Sequence, residues 1–103
     1  MSVWRIGHWN GRGGHRQVFR YTDEHRNRMG YCDRLPQSGD LCIRTEDAGD
    51  CFHDYGVMRP REDGKLVRVG KFGAYIFGEP LCTLDERTFH LACAGEPIEM
   101  PND

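Results

Sequence analysis

Short apolar runs alternate with turn-forming residues along most of the chain. Runs rich in β-branched and aromatic residues predict strands, and they occupy residues 41–45, 51–58, 65–69 and 74–77. Clusters of Gly, Pro and Asp predict turns at residues 35–40, 46–50 and 59–64, and a further break at Gly70 and Gly73. Because these turn signals return about every ten residues, the pattern predicts a small antiparallel β-fold.

Two further apolar runs lie near the N-terminus, at residues 4–9 and 15–21. They flank the sequence Asn-Gly-Arg-Gly-Gly at residues 10–14. Asn-Gly pairs supply the positive φ angles that tight hairpins require. This part of the chain is therefore predicted to form a β-hairpin.

One segment with helix signals precedes the first turn. Residues 22–30 begin with the hydroxyl of Thr22, carry acidic residues in the first turn and end at Gly30, which suits the position after a helix C-cap. The segment has almost no apolar face, so we expect a short surface helix or merely a turn.

Residues 84–94 fit two descriptions. The sequence Thr-Leu-Asp-Glu at residues 83–86 matches a capping box, which would start a helix towards Gly95. Phe89, Leu91 and Cys93, however, occupy alternate positions, as the buried residues of a strand do. Of the two, we favour a strand after a short turn.

The expected fold class is mainly β, or α+β with short helices, arranged as a small antiparallel meander, barrel or sandwich. Residues 1–95 are predicted to form a single globular domain, and residues 96–103, which include two prolines, an extended C-terminal tail. The predicted core residues are Trp4, Ile6, Phe19, Leu41, Ile43, Phe52, Val67, Val69, Ile76, Phe77, Phe89 and Leu91.

Charge is segregated along the sequence although the formal net charge is only −2. Residues 1–34 hold seven arginines and three acidic residues, whereas residues 35–64 hold three arginines and seven acidic residues. These segments predict either two surface fields of opposite sign or neighbouring segments that cancel.

The cysteines and the N-terminal residues bear on the cellular location of the protein. Five cysteines at irregular spacing do not suggest a disulfide framework, and residues 1–5 lack the apolar stretch of a secretory signal. No apolar run is long enough to span a membrane. We therefore expect a cytoplasmic, reducing setting.

Cysteines and histidines also raise the question of a metal. Cys51 and His53 share one face of a predicted strand, and Cys42 lies across a plausible hairpin; Cys82, His90 and Cys93 form a second candidate group. Structural zinc sites usually carry paired Cys-x-x-Cys motifs, which this chain lacks. We expect buried cysteines, solvent-facing histidines, no metal and no cofactor.

Catalytic motifs are absent from the sequence. It contains no Gly-x-Ser-x-Gly turn, phosphate-binding loop or His-Glu-x-x-His motif. We therefore favour a protein without catalytic activity and keep a small Cys/His-dependent enzyme as an alternative.

Nucleic-acid binding is another alternative. Trp9, Arg12, Arg16 and Arg20 combine planar and cationic groups around the predicted N-terminal hairpin, which suits stacking on bases and contact with phosphates. The pI near 6.2 argues against it, because proteins that bind the phosphate backbone usually carry a positive balance.

Stoichiometric contact with a larger protein is the function we favour. Trp and Arg are residue types enriched at interface hot spots, so Trp9 and Arg12 form one candidate surface. The other candidate surface is acidic and consists of Glu46, Asp47, Asp50 and Asp54. If these carboxylates imitate phosphates, the protein would be an inhibitor or an immunity or anti-defence protein of a phage or mobile element, an interpretation by analogy.

Overall fold

The computed structural model describes residues 16–47, 52–75 and 78–101. Its elements, in chain order, are β1 (Gln17–Arg20), a 3₁₀ helix (Asp23–Arg28), β2 (Met29–Cys32), β3 (Leu41–Asp47), β4 (Phe52–Pro60), β5 (Leu66–Tyr75), β6 (Cys82–Thr83) and α1 (Glu86–Cys93). The first arm of the predicted N-terminal hairpin lies outside the described residues.

All six strands form one antiparallel sheet in the order β2-β5-β4-β3-β1-β6. The three consecutive strands β3, β4 and β5 form a meander at its centre. The tight turn between β4 and β5 is closed by hydrogen bonds between the backbones of Arg61 and Lys65 (2.7 Å) and of Gly64 and Arg61 (3.0 Å). The predicted β-rich fold class is confirmed.

β5 corrects the predicted break at Gly70 and Gly73. Both glycines lie inside one continuous strand, where Gly70 pairs with Val57 and Gly73 with Asp54. β5 has β4 on one side and β2 on the other. Pairing on both sides outweighs the low strand propensity of glycine, because strand propensity depends strongly on the position of a residue in the sheet.

Each face of the sheet carries its own core. The first face is covered by α1 and by the bridge between Ile98 and Leu66. Its buried cluster consists of Val18, Leu41, Ile43, Met58, Leu66, Leu84, Phe89, Ala92 and Ile98. The second face carries Phe19, Tyr21, Cys42, Tyr55, Val57, Phe72 and Ala74.

The predicted core is correct in part. Phe19, Leu41, Ile43 and Phe89 are buried. Leu91 is wrong, because its side chain is 38% exposed on α1. Phe52, Val67 and Val69 are half-buried, and Trp4, Ile6, Ile76 and Phe77 fall outside the described residues.

The strand predicted for residues 84–94 is also wrong, since this segment forms α1. Asp85 is the N-cap, and its side chain accepts a hydrogen bond from the Thr88 N–H at 2.7 Å. Phe89 and Ala92, three positions apart, are the buried residues, as expected for a helix whose one face meets a sheet. The capping box had indicated the helix, but its Thr83 lies in β6.

The predicted short helix at residues 22–30 is a 3₁₀ helix that follows Thr22. The Thr22 N–H donates to Nδ1 of His25 at 3.1 Å. Gly30 does not end the helix, because it belongs to β2. The absence of an apolar face explains why so short a helical segment forms here.

Candidate functional site

Part of the first face is left uncovered by α1. Seven side chains occupy this area, which we call the open face: Tyr31, Glu46, Phe52, Asp54, Arg68, Lys71 and Tyr75. A groove of about 450 Å³ is lined by five of these residues, all but Phe52 and Tyr75, and has His90 and Cys93 of α1 on one side. The open face therefore combines a flat floor of sheet with a helical wall.

An irregularity in β2 brings Tyr31 to this face. Met29 pairs with Ala74 and Cys32 with Phe72, so three steps along β2 match two steps along β5. Strict alternation from Met29 would send the Tyr31 side chain to the second face. The extra residue of this bulge turns it to the first face.

β3 contains a second bulge. Arg44 pairs with Tyr55 and Glu46 with Asp54, which leaves Thr45 as the extra residue. Alternation from Arg44, whose side chain lies on the second face, would put Glu46 there too. The bulge brings Glu46 beside Asp54 on the open face instead.

The third bulge lies in β5. Val57 pairs with Gly70 and Met58 with Arg68, so Val69 is the extra residue. Val69 packs against the core of the second face, and Arg68 emerges on the first. Within the described strands, each of the three irregularities thus directs a polar or charged side chain, Tyr31, Glu46 or Arg68, to the same surface. Bulges are over-represented next to active sites in proteins.

The open face is organised in rows that cross the strands. Lys71 pairs with Gly56, and the Arg68 side chain lies over Gly56, where an added Cβ would be 3.2 Å from Nε. This is the basic row. Glu46 and Asp54 are directly paired and form the acidic row. Successive rows lie two residues apart, about 7 Å.

Aromatic rings form the third row. Phe52 pairs with Tyr75, and their ring centroids are 5.3 Å apart in an edge-on arrangement. The ring of Tyr31 lies 6.4 Å from that of Phe52. Tyr31 is 46% exposed and Tyr75 52% exposed, so this row offers apolar area to a partner.

Gly73 allows Tyr31 to reach across β5. A Cβ at Gly73 would lie 2.5 Å from Cε2 of Tyr31 and 2.6 Å from Cε2 of Phe52. In its absence the Tyr31 phenol crosses the strand and donates a hydrogen bond to Oδ1 of Asp54. Partial burial and this hydrogen bond raise the pKa of Tyr31 to about 12, so the phenol is a proton donor at neutral pH.

The charges of the open face do not pair with one another. Within the described parts of the chain, no ion pair involves Glu46, Asp54, Arg68 or Lys71. Arg68 is instead held by carbonyl groups, Gly70 O at 3.5 Å from Nε and Cys93 O at 3.4 Å from Nη1. Its position beside the last turn of α1 also suits the negative end of the helix dipole. Acidic and basic groups therefore remain available to a ligand.

Two of the predicted binding residues, Glu46 and Asp54, lie together on the open face. Arg20 points to the same side of the sheet but at its other end, since it pairs with Leu41, five residues along β3 from Glu46. Arg16 is half-buried and has a φ of 76°. Asp47 belongs to β3. Trp9, Arg12 and Asp50 fall outside the described residues.

Tyr31, Arg68 and Lys71 were not among the predicted site residues. Strict alternation along β2 and β5 would place the side chains of Tyr31 and Arg68 on the second face. A bulge in each strand turns them to the first face, so the sequence pattern does not predict them as site residues. The pair Gly30 and Gly73 is the one usable signal: glycine inside a strand often marks a bulge or a close approach.

The candidate metal ligands, which we did not expect to bind a metal, do not converge in the described structure. Cys42 and His53 share the second face, but their positions differ by four residues along β4, roughly 13 Å. Cys51 is outside the described residues, and the described part of the chain holds no group of three His, Cys, Asp or Glu suited to a metal ion. His53 is buried, contrary to the expectation that the histidines face solvent, whereas His90 is exposed.

Within the described residues, Cys32, Cys42, Cys82 and Cys93 form no disulfide bond. Burial raises the pKa of the Cys42 and Cys93 thiols, which keeps both protonated at neutral pH. No helix among the described residues is long and apolar enough to cross a membrane.

A second, apolar groove of about 300 Å³ lies at the other end of the first face. Its floor consists of the core residues Val18, Leu41, Met58 and Leu66, and Arg20 is at its rim. Among the residues that line it, Arg20 alone is charged, so this groove lacks the acidic and basic rows of the open face.

The open face thus brings acidic, basic and aromatic side chains together on one surface of the described structure. Comparison of the chain with protein-family models, with curated proteins and with solved structures finds no match. What the protein does therefore has to be inferred from the residues of the open face.

Proposed function

We propose that this protein is a non-catalytic binding module that acts by stoichiometric contact with a protein partner, and that the open face is its contact surface. The observation that carries the proposal is the agreement of the three bulges. Each one interrupts regular pairing and exposes a polar or charged side chain on the same surface. Irregularities of this kind are usually retained for a functional reason.

The composition of the surface supports contact with protein. Tyr and Arg are enriched at interface hot spots, because they combine apolar area with hydrogen-bonding groups. Tyr31 and Tyr75 are half-exposed, and the rings of Tyr31 and Phe52 lie closely over Gly73. A surface already in its binding conformation loses little conformational entropy when a partner docks.

The mixed charge of the open face bears on two more specific functions, inhibition by phosphate mimicry and binding to nucleic acid. An inhibitor that imitates phosphates needs a continuous acidic surface, and binding to nucleic acid needs a continuous basic one. Glu46 and Asp54 have Arg68 and Lys71 in the adjacent row. This arrangement favours a protein partner of mixed charge over phosphate mimicry and over nucleic-acid binding.

A Cys/His-dependent enzyme is the least supported alternative. Cys93 and His90 both border the groove, but burial raises the pKa of the Cys93 thiol and so opposes formation of the nucleophilic thiolate. The proposal includes a reducing, cytoplasmic setting, in keeping with the absence of disulfide bonds among the described cysteines.

The experiment compares capture by two variants that remove exposed side chains. The tagged protein is incubated with extract of its native host, next to Tyr31→Ala and to the matched control Leu35→Ala. Leu35 is 54% exposed and lies outside the open face. A protein enriched by the wild type is then purified, and its affinity and stoichiometry are measured by calorimetry.

We expect a stoichiometry near one and a loss of affinity of about tenfold or more for Tyr31→Ala, as for a hot-spot residue. The Leu35→Ala variant should bind like the wild type. Equal affinity of all three proteins would contradict the proposed surface. Multiple turnovers of a small molecule by the purified protein would contradict the proposed function itself.

A further inference from the structure

We infer that the open face binds an extended segment of the partner that carries an acidic, a basic and an apolar side chain at alternate positions, in that order. The acidic side chain would meet the basic row, the basic side chain the acidic row, and the apolar side chain the aromatic row. This inference rests on the proposed function and specifies the partner's chemistry.

The shape of the groove requires a slender occupant. An α-helix with its side chains is about 10–12 Å across, and His90 and Cys93 of α1 line one side of the groove. A broad, flat protein surface would therefore meet α1 before it reached the sheet at Asp54. An extended segment, one strand wide, fits beside the helix and reaches the floor.

The spacing of the rows matches an extended chain. Basic, acidic and aromatic rows follow one another at intervals of two residues along β4 and β5, about 7 Å each. Side chains at alternate positions of an extended segment point to one side and repeat at the same interval. Three such side chains would therefore each face one row.

Charge complementarity determines their order. Glu46 and Asp54 are paired directly across β3 and β4, and like charges in that position are unfavourable. A basic side chain between them would relieve the repulsion, and the Tyr31 ring beside Asp54 would give a guanidinium group a face to stack on. Arg68 and Lys71, one row away, would then receive the acidic side chain.

Two peptides of identical composition provide the test. The first is acetyl-Glu-Ser-Arg-Ser-Leu-amide, and the second, acetyl-Arg-Ser-Glu-Ser-Leu-amide, exchanges the two charged residues. Whichever direction the peptide runs, only the first presents an acidic, a basic and an apolar side chain in the order of the rows. Binding is measured from the chemical shifts of backbone amides in the full-length protein.

We expect the first peptide to bind at millimolar concentration or below, about tenfold more tightly than the second, and to shift the amides of Tyr31, Asp54 and Lys71. The double variant E46K/K71E makes each charged row neutral and should abolish the preference. Glu46 and Lys71 are exposed and have no ion-pair partner among the described residues, so the variant should fold normally. A melting curve that coincides with that of the wild type verifies this.

Equal binding of the two peptides, or a preference that survives in E46K/K71E, would overturn the inference. So would an oligothymidylate that binds at the open face more tightly than the first peptide. If neither peptide binds while Tyr31→Ala still weakens capture of the natural partner, the inference fails and the proposed function stands. If Tyr31→Ala has no effect on capture either, both fail.

Discussion

Tyr31 connects three strands through one side chain. It leaves β2, crosses Gly73 of β5 and donates to Asp54 of β4. The crossing depends on the missing Cβ of Gly73, since no ordinary side chain fits beneath the ring. At the scale of single residues, the open face is therefore determined as much by a glycine as by the groups that would contact a partner.

The phenol of Tyr31 should lose its proton at a higher pH than an ordinary tyrosine does. Its pKa is raised from 10.0 to about 12, by partial burial first and by the hydrogen bond to Asp54 second. Because the folded state favours the protonated phenol, its contribution to stability is complete below pH 10 and is lost as the pH rises through about 12. Ultraviolet titration, with Tyr31→Phe subtracted, measures this pKa. Asp54→Asn should lower it, and an unchanged value would contradict the role of Asp54.

Gly73→Ala should disturb the open face directly. The new methyl group would overlap the rings of Tyr31 and Phe52, and overpacking of this kind typically costs about 1–3 kcal/mol. Displacement of Tyr31 should also return its pKa towards the ordinary value. Gly30→Ala is the comparison variant, because its Cβ would meet the Phe52 ring at 2.7 Å. Urea unfolding and the same ultraviolet titration distinguish the two variants; a Tyr31 pKa unchanged in Gly73→Ala would show that the ring does not depend on Gly73.

At the scale of elements, irregular pairing and helix capping give the site its form. The three bulges change which side chains share a face without interrupting the strands. α1 supplies the wall of the groove, and it begins where Asp85 accepts the N–H of Thr88. A change that loosens α1 should therefore affect the open face as well as the core.

Asp85→Ala should lower the free energy of unfolding, because the first turn of α1 loses its cap. Asp85→Asn should be nearly neutral, since an asparagine oxygen can accept the same hydrogen bond. The N–H of Thr88 lowers the pKa of Asp85. The cap is therefore fully effective above the ordinary carboxyl pKa and weakens as the pH falls through the lower, folded value. Urea midpoints at neutral and acidic pH measure both effects, and equal midpoints for the two variants would contradict a capping role.

At the scale of the whole molecule, one sheet separates two cores, and the first face carries the open face beside its core. One buried acidic residue of the chain, Asp40, is paired within its own segment, residues 35–64. Asp40, in the acidic part of the chain, accepts hydrogen bonds from Arg59 at 2.7 and 3.2 Å and from the Gln37 N–H at 2.8 Å. The folded protein thus keeps unpaired charge on the open face while Asp40, which is buried, is fully satisfied.

Two aliphatic residues test this division between core and surface. Ile43 is 2% exposed within the first core, whereas Leu91 is 38% exposed on α1. Ile43→Ala should cost about 2–5 kcal/mol, because it leaves a cavity in a packed interior. Leu91→Ala should cost clearly less, and urea unfolding at one pH compares the two. A larger loss for Leu91→Ala would mean that α1 packs differently from the arrangement described here.

The sequence by itself determined the kind of fold and two members of the site. Strands at residues 41–45 and 51–58 follow from local residue types, and Glu46 and Asp54 follow from the clustering of acidic residues near their turn. Such features depend on neighbours in the chain, so a single sequence reveals them. For α1 the sequence carried conflicting signals. A capping box indicated a helix, but the alternating apolar residues favoured a strand.

Only the tertiary structure decided which side chains share a surface. Tyr31 comes from β2, which pairs with β5 although the two strands are distant in sequence, and Arg68 and Lys71 come from β5 itself. Tyr31 and Arg68 depend on bulges for their direction. A bulge moves a side chain to the other face by a shift of one residue in pairing. That shift arises from contacts between strands, such as Tyr31 crossing Gly73 to reach Asp54, and local sequence patterns do not encode it.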